Sequence, residues 1–350
     1  MKTKYFSEKI NRLPKGCKMC VKGRKLVLFV TGKCSRKCFY CSISDNKYQN
    51  NTIYANERKV NSFNDIINEA KISSSKGAGL TGGDPLADLP RTIKLIKLLK
   101  KEFGKSFHIH LYTIPESITK ENLIKLEKVG LDEIRLHPNL ENEKFWKNLK
   151  FLKEIKIDKG IEIPVIPHLY KNTIKLLKYS LPFVKFINLN ELEFADNDIN
   201  SIRQKGYETV NDSSYAVKSS YLYGQKILKH FKKSGKNLHL CSSKLKDNIQ
   251  LKNRIKLRAK NIKLPWEKIT SEGTIIRNAI YTKNSLPPKK GNLNDIKLLK
   301  KLKVKEKHKL DNKNYRILIK KKIKLPKDYF FCKIEEYPTD DNFIIELEIK

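Results

Sequence analysis

Short apolar runs alternate with amphipathic stretches over roughly the first two thirds of the chain. The runs fall at 25–31, 77–81, 107–113, 132–137, 160–166 and 186–194. Each is short and rich in Ile, Leu, Val or Phe, or alternates apolar with polar residues, as strands do. Stretches with the apolar spacing of a one-sided helix follow at 62–74, 90–102, 118–128, 142–155, 171–179 and 213–232. Strand then helix, six times over, predicts an α/β fold with a parallel sheet and right-handed crossovers. No internal repeat is visible.

The parity within these runs carries more. His108, His110 and Tyr112 alternate with Ile109 and Leu111. Arg135 and His137 alternate with Ile134 and Leu136, and Asn188 and Asn190 with Ile187 and Leu189. Successive side chains of a strand point to opposite faces. If helices cover one face, the apolar parity meets them and the polar parity points away, into a cavity suited to a polar ligand. An antiparallel sheet with one wet face gives the same alternation, but the intervening helical stretches argue against it.

Toward the end the chain changes character. Leu286-Pro287-Pro288-Lys289-Lys290-Gly291 reads as a linker, 294–310 as a lysine-rich amphipathic stretch, and 313–350 as a small strand-rich appendage. The expected division is therefore an N-terminal segment at 1–24, a main α/β domain at 25–235, a capping extension at 236–285, and the linker with its appendage at 286–350.

Composition alters this picture in two respects. With 350 residues, 39% of them hydrophobic, the chain is long enough for one large domain with additions. It has no apolar run of about 18 residues and no apolar core near its N-terminus, so neither a membrane span nor a signal peptide is expected. The formal net charge is +37, from 74 basic and 37 acidic residues. Such an excess attracts polyanions. Only 11 of the 74 are Arg, however, the residue whose planar fork reads bases. RNA as a partner and a generic lysine-rich surface both stay open. The seven cysteines cluster as metal or thiol sites do, not as a disulfide framework, which predicts a cytoplasmic protein.

Cys34, Cys38 and Cys41 follow the first apolar run in TGKCSRKCFYC. Three thiolates in one tight loop can hold three corners of a cubane 4Fe–4S cluster and leave the fourth iron open for chemistry. A zinc loop is the alternative, but zinc favours cysteines in C-x2-C pairs. The C-x3-C-x-aromatic-C spacing, with Phe39 and Tyr40 before the last thiol, resembles the radical S-adenosylmethionine (radical SAM) superfamily. The likeness covers about residues 25–200. Within the superfamily the chain is most similar to archaeal proteins related to the pyruvate formate-lyase activating enzyme.

The resemblance implies a partial (β/α)6 TIM-like barrel with its site at the carboxyl ends of the strands. It also implies a cluster chelating SAM through the open iron, reductive cleavage of SAM to a 5′-deoxyadenosyl radical, and hydrogen abstraction from a substrate. A ferredoxin- or flavodoxin-like reductant would supply the electron. Thr81-Gly82-Gly83-Asp84-Pro85 is similar to the family's GGE motif, which meets the SAM amino group, with Asp84 in place of Glu. Tyr40, Arg135, Glu162 and Asn190 are further expected SAM contacts, the last three assigned by strand position. His108, His110, Tyr112, Arg135 and His137 are expected to line the chamber, with His108, His110, Tyr112 and His137 as catalytic candidates.

A second set is also visible. Cys17 and Cys20 form a C-x2-C, and His239 and Cys241 an H-x-C. Together they supply four ligands for a zinc ion or a second iron–sulfur cluster. Arg254 and Arg258, on one face of a polar helix-like stretch, suit an anionic group or a solvated face. The functions that follow are an oxidoreductase of radical SAM type with a substrate left open, a glycyl-radical-enzyme activase, an RNA-modifying enzyme, or a non-enzymatic metal- or RNA-binding protein.

Overall fold

The computed structural model describes residues 1–350, in two units, Met1–Arg254 and Ile255–Lys350. The first unit holds strands β1 (Glu8–Ile10), β2 (Lys25–Thr31), β3 (Tyr54–Ala55), β4 (Arg58–Lys59), β5 (Gly77–Gly82), β6 (His108–Thr113), β7 (Glu133–Leu136), β8 (Asp158–Val165), β9 (Phe186–Glu191) and β10 (Asn237–Cys241). The second holds β11 (Lys268–Ile269), β12 (Ile275–Thr282), β13 (His308–Asp311), β14 (Arg316–Ile319), β15 (Tyr329–Glu336) and β16 (Ile344–Ile349).

Unit one is a partial TIM-like barrel. Strands β2, β5, β6, β7, β8, β9 and β10 are neighbours in that order, every pair parallel. The path does not close. The β3–β4 hairpin pairs antiparallel on β2 at one end, and β1 antiparallel on β10 at the other. Leu28, Leu80, Ile109, Leu111, Ile134 and Leu189 are fully buried in the layer between sheet and helices, so the apolar parity does meet the helices.

The helices start where local chemistry allows. Ser62 and Asp65 form a capping box on Phe63–Ile72, Asp88 accepts from the Arg91 amide to start Leu89–Phe103, and Thr119 caps Lys120–Lys128. Gly104, at φ 79°, closes the second of these.

Seven parallel strands stand where six were expected. The seventh, β10, contains His239 and Cys241, read in sequence as ligands. Its other parity, Leu238 and Leu240, is buried in the core, so a strand signal was present. A short helix, α1 (Lys15–Val21), precedes β2 and carries Cys17 and Cys20. The stretch 142–155 forms a 3-10 helix (Trp146–Glu154), and 213–232 shortens to a helix at Ser220–His230.

In unit two the sheet order is β13-β14-β12-β15-β16, with β11 on β12 and all pairs antiparallel. The expected boundary at 286 is replaced by one at Arg254/Ile255, because β12, read as part of a capping extension, is the central strand of this sheet. The Pro287–Pro288 segment is a connection inside unit two. The lysine-rich stretch divides into the helix Leu293–Lys301, whose Ile296 and Leu299 pack on Ile280 and Ile317, and β13. Arg316 makes a two-pronged pair with Glu336 (2.6 and 2.9 Å) in unit two, and Cys332 is a free thiol buried among Ala279, Tyr281, Leu318 and Ile334. No helix is long and apolar enough to cross a membrane.

Candidate active site

The carboxyl end of β2 runs straight into the three-cysteine loop. Backbone bonds lace this loop to the one after β5: the Gly83 amide donates to Thr31 O and the Asp84 amide to Lys33 O, both at 2.8 Å. A Cβ on Gly82 (φ 142°) would collide with the Thr31 carbonyl, and one on Gly83 with the Lys33 carbonyl. The two glycines are thus required by packing of loop on loop.

Cys34, Cys38 and Cys41 all line one cavity of about 320 Å³ at these strand ends. Arg36, Tyr40, Gly82, Gly83, Tyr112, His137, Glu162 and Asn190 share its wall. Arg36 pins the loop across the barrel, donating from Nε to Glu116 (2.7 Å) and from Nη1 to the His137 carbonyl (2.6 Å). Asn197 donates to the Cys41 carbonyl (3.1 Å) and the Ser201 amide to that of Phe39 (2.8 Å). The Tyr40 hydroxyl sits 3.0 Å from His137 Nε2, and His137 Nδ1 is 3.0 Å from the Glu162 carbonyl.

Burial, followed by the charge of Arg36, lowers His137 to about 4, so its ring is neutral at pH 7. Nδ1–H then donates to the carbonyl and Nε2 accepts from Tyr40. Burial pushes all three loop thiols above the usual thiol value. Burial also works to raise Glu162, but the Arg135 charge and bonds from Asn188, Asn190 and Arg135 outweigh it, and the carboxyl is held below its ordinary range. Glu162 is therefore a fixed acceptor in the wall.

Several expected contacts lie elsewhere. Asp84 is buried and does not line the cavity. Its carboxylate accepts from the Leu86 amide (3.1 Å), Thr113 Oγ1 (2.6 Å) and Ser117. With its oxygens spent on the fold, Asp84→Ala is expected to lower stability by about 1–3 kcal/mol in urea unfolding, while SAM affinity measured by calorimetry changes little. A tenfold loss of SAM affinity at unchanged stability would return Asp84 to the ligand.

Arg135 also leaves the chamber wall. It is only 2% exposed and bonds Glu133 (2.6 Å from Nε), Glu162 (2.7 Å) and Tyr112 (3.2 Å). His108 and His110 lie toward the amino ends of the strands, where the buried Lys25 Nζ reaches His108 Nδ1 (3.0 Å), Ala78 O (2.9 Å) and His108 O (2.6 Å). Of the four catalytic candidates, only Tyr112 and His137 face the chamber. Arg254 pairs with Glu57, and Arg258 donates to the Pro338 carbonyl; both serve the fold.

The histidines near the amino ends of the strands set an acid limit. Burial, then Lys25, lowers His108 to about 2; burial, then Arg135, holds His110 well below its usual value. Unfolded, both take up a proton as pH falls through about 6.5, while the folded ones do not. The unfolded state then binds more protons, so stability drops as pH falls below that value. The melting temperature should fall between pH 7 and 5, and His108→Gln should flatten that slope. An unchanged slope in the variant would remove His108 as a cause.

Cys17, Cys20, His239 and Cys241 are brought together by the fold, around a second cavity. No three His, Cys, Asp or Glu side chains stand close enough to hold one metal ion as the structure has them. Residues missed in the sequence include Arg36, Glu116 and Glu193, the ion-pair partner of Lys246 beside the chamber. Arg36 stood between the cysteines as one more basic residue. Lys246 opens a π-helix, Lys246–Leu251, a form for which the sequence carried no signal.

Residues 28–156 match the radical SAM superfamily model. A protein of Methanocaldococcus jannaschii, provisionally named a glycyl-radical enzyme activating enzyme, is 43% identical over 291 residues, 80% of this chain and 77% of that protein. Among solved structures, methylornithine synthase is similar with a TM-score of 0.41 and 15% identity over 67% of this chain and 80% of that one. Coproporphyrinogen III oxidase from Escherichia coli gives 0.39 and 14% over 65% and 58%. The chain belongs to the radical SAM superfamily, in the group resembling pyruvate formate-lyase activating enzyme, and is an enzyme. The cofactors of that family are a 4Fe–4S cluster and SAM.

Proposed function

We propose that Cys34, Cys38 and Cys41 hold the 4Fe–4S cluster and that SAM sits beside it in the 320 Å³ chamber. The observation that carries this is that all three thiols of one loop line a single cavity at the carboxyl ends of the barrel strands. Three sulfur donors with no fourth protein ligand in the loop fit a cluster that leaves one iron open. When bound, the cluster would supply the one electron that cleaves the C5′–S bond of SAM, releasing methionine and leaving hydrogen-abstracting chemistry at the 5′ carbon.

The chain's own groups position the ligands. Arg36 and Asn197 fix the cysteine loop, and the Tyr40–His137 pair braces its far side. Backbone carbonyls at Gly82 and Gly83 are available to the SAM ammonium, and Glu162 and Asn190 present polar atoms suited to ribose hydroxyls. Lys246 and Glu193 sit at the chamber edge, where substrate enters.

A glycyl-radical enzyme is the partner reading favoured by the name of the relative in Methanocaldococcus jannaschii, and a ferredoxin- or flavodoxin-like protein is the reductant. An RNA substrate has no support from the site. Anaerobically reconstituted protein with dithionite and SAM should release 5′-deoxyadenosine and methionine. No release from iron-replete protein would reject the assignment. A glycine-centred radical in a co-incubated glycyl-radical enzyme, seen by electron paramagnetic resonance, tests the partner.

A further inference from the structure

Beside the chamber lies a second cavity of about 180 Å³, walled by Cys17, Cys20, His239 and Cys241. It shares Tyr112, Glu162 and Asn190 with the first. Its four soft donors come from opposite ends of unit one. Pairing of β1 with β10, donation from Asn253 to the Val21 carbonyl (2.8 Å), and packing of Val21 with Cys241 and Leu245 bring the end of α1 beside the end of β10. The Gly16 amide donates to Glu133 (3.1 Å) inside the barrel, and a Cβ at Gly16 would collide with Arg135. Bare backbone here lets α1 enter far enough for Cys17 to reach the interior.

Three observations point to a ligand. His239 is 1% exposed, and neither ring nitrogen has a partner. An imidazole always carries a donor or an acceptor at each nitrogen, and leaving both unmade in a buried site is unfavourable. The sulfurs, in turn, are met by N–H donors: Arg135 Nη2 (3.5 Å) and Asn188 Nδ2 (3.3 Å) at Cys17, and Gln250 Nε2 (3.7 Å) at Cys241. Donors of this kind suit thiolate sulfur and are the outer bonds that tune metal-bound cysteine. Finally, the donors ring a void without three of them meeting at a point. A single zinc ion needs all its ligands at about 2.0–2.3 Å, whereas a cluster fills a void and keeps its ligands apart.

We propose that Cys17, Cys20 and Cys241, with His239 as fourth donor, hold a second iron–sulfur cluster inside the barrel. It is distinct from the cluster assigned to Cys34, Cys38 and Cys41 and does not depend on that assignment. The wall shared with the chamber places this centre next to whatever occupies the chamber. Thiol protons are released when it forms.

The test uses full-length protein reconstituted anaerobically with iron and sulfide. The Cys34→Ser/Cys38→Ser/Cys41→Ser variant should keep about half the wild-type iron, with a reduced-cluster paramagnetic resonance signal that does not respond to SAM. The Cys17→Ser/Cys20→Ser/Cys241→Ser variant should lose the other half and keep the SAM-responsive signal. His239→Ala should shift the signal of the first variant. The inference is overturned if the first variant binds no iron, or if wild type holds stoichiometric zinc that the second variant lacks. Should the second variant fail to fold, the iron content and signal of the first decide alone.

Discussion

Replacing any one of Cys34, Cys38 and Cys41 with alanine reduces release of 5′-deoxyadenosine to the level of protein-free controls. The three thiols act as a unit on one cavity, and removing one member of such a unit costs nearly as much as removing all, a loss of at least about a thousandfold. The fold should survive, because the cysteines are only partly buried and lie outside the hydrophobic core. Circular dichroism of each variant checks this, and anaerobic turnover with dithionite measures the loss. A variant with wild-type turnover would remove that cysteine from the cluster.

Arg135→Met destabilises the first unit by about 3–5 kcal/mol. The guanidinium bonds Glu133 and Glu162 at once, with the three side chains 2%, 0% and 12% exposed. Methionine fills similar volume but leaves two carboxylates in the barrel interior without their cation. Adding Glu133→Gln and Glu162→Gln should recover part of the loss, since neutral amides need less solvation than carboxylates. Urea unfolding of the single and triple variants measures both effects. A single-variant loss below about 1 kcal/mol, the scale of an exposed pair, would show that these carboxylates are served by water.

Much of the barrel was legible because its period-two runs are short and its helices one-sided. The run at 25–31 became β2 with the same bounds, and that at 186–194 became β9. Parity also told which residues face inward: Tyr112, Asn188 and Asn190 point to the cavities as their alternation with Leu111 and Leu189 implies. Depth along the barrel was not legible. His108, His110 and Tyr112 share a parity, yet only Tyr112 reaches the chamber, because strand position along the barrel axis depends on stagger between neighbours.

Asp84 shows a second kind of limit. Its place in a GGD turn pointed to a ligand, while its true partners, Thr113 and Ser117, lie on other elements. The unit boundary was obscured by Pro287 and Pro288, whose linker-like composition lies inside a domain, whereas the break at Arg254 falls in a helical stretch, Lys252–Ile262, with no compositional mark.

The pairing of β1 with β10 has a consequence for biosynthesis. Glu8 accepts from Gln225 (2.5 Å), and Asn11 donates to the Lys236 carbonyl (2.8 Å). Glu8 and Asn11 therefore find these partners only after more than two hundred further residues have been translated. Cys17 meets Arg135 and Asn188 well before β10 is made, so the two cysteines of α1 settle in the barrel first and Cys241 joins them late.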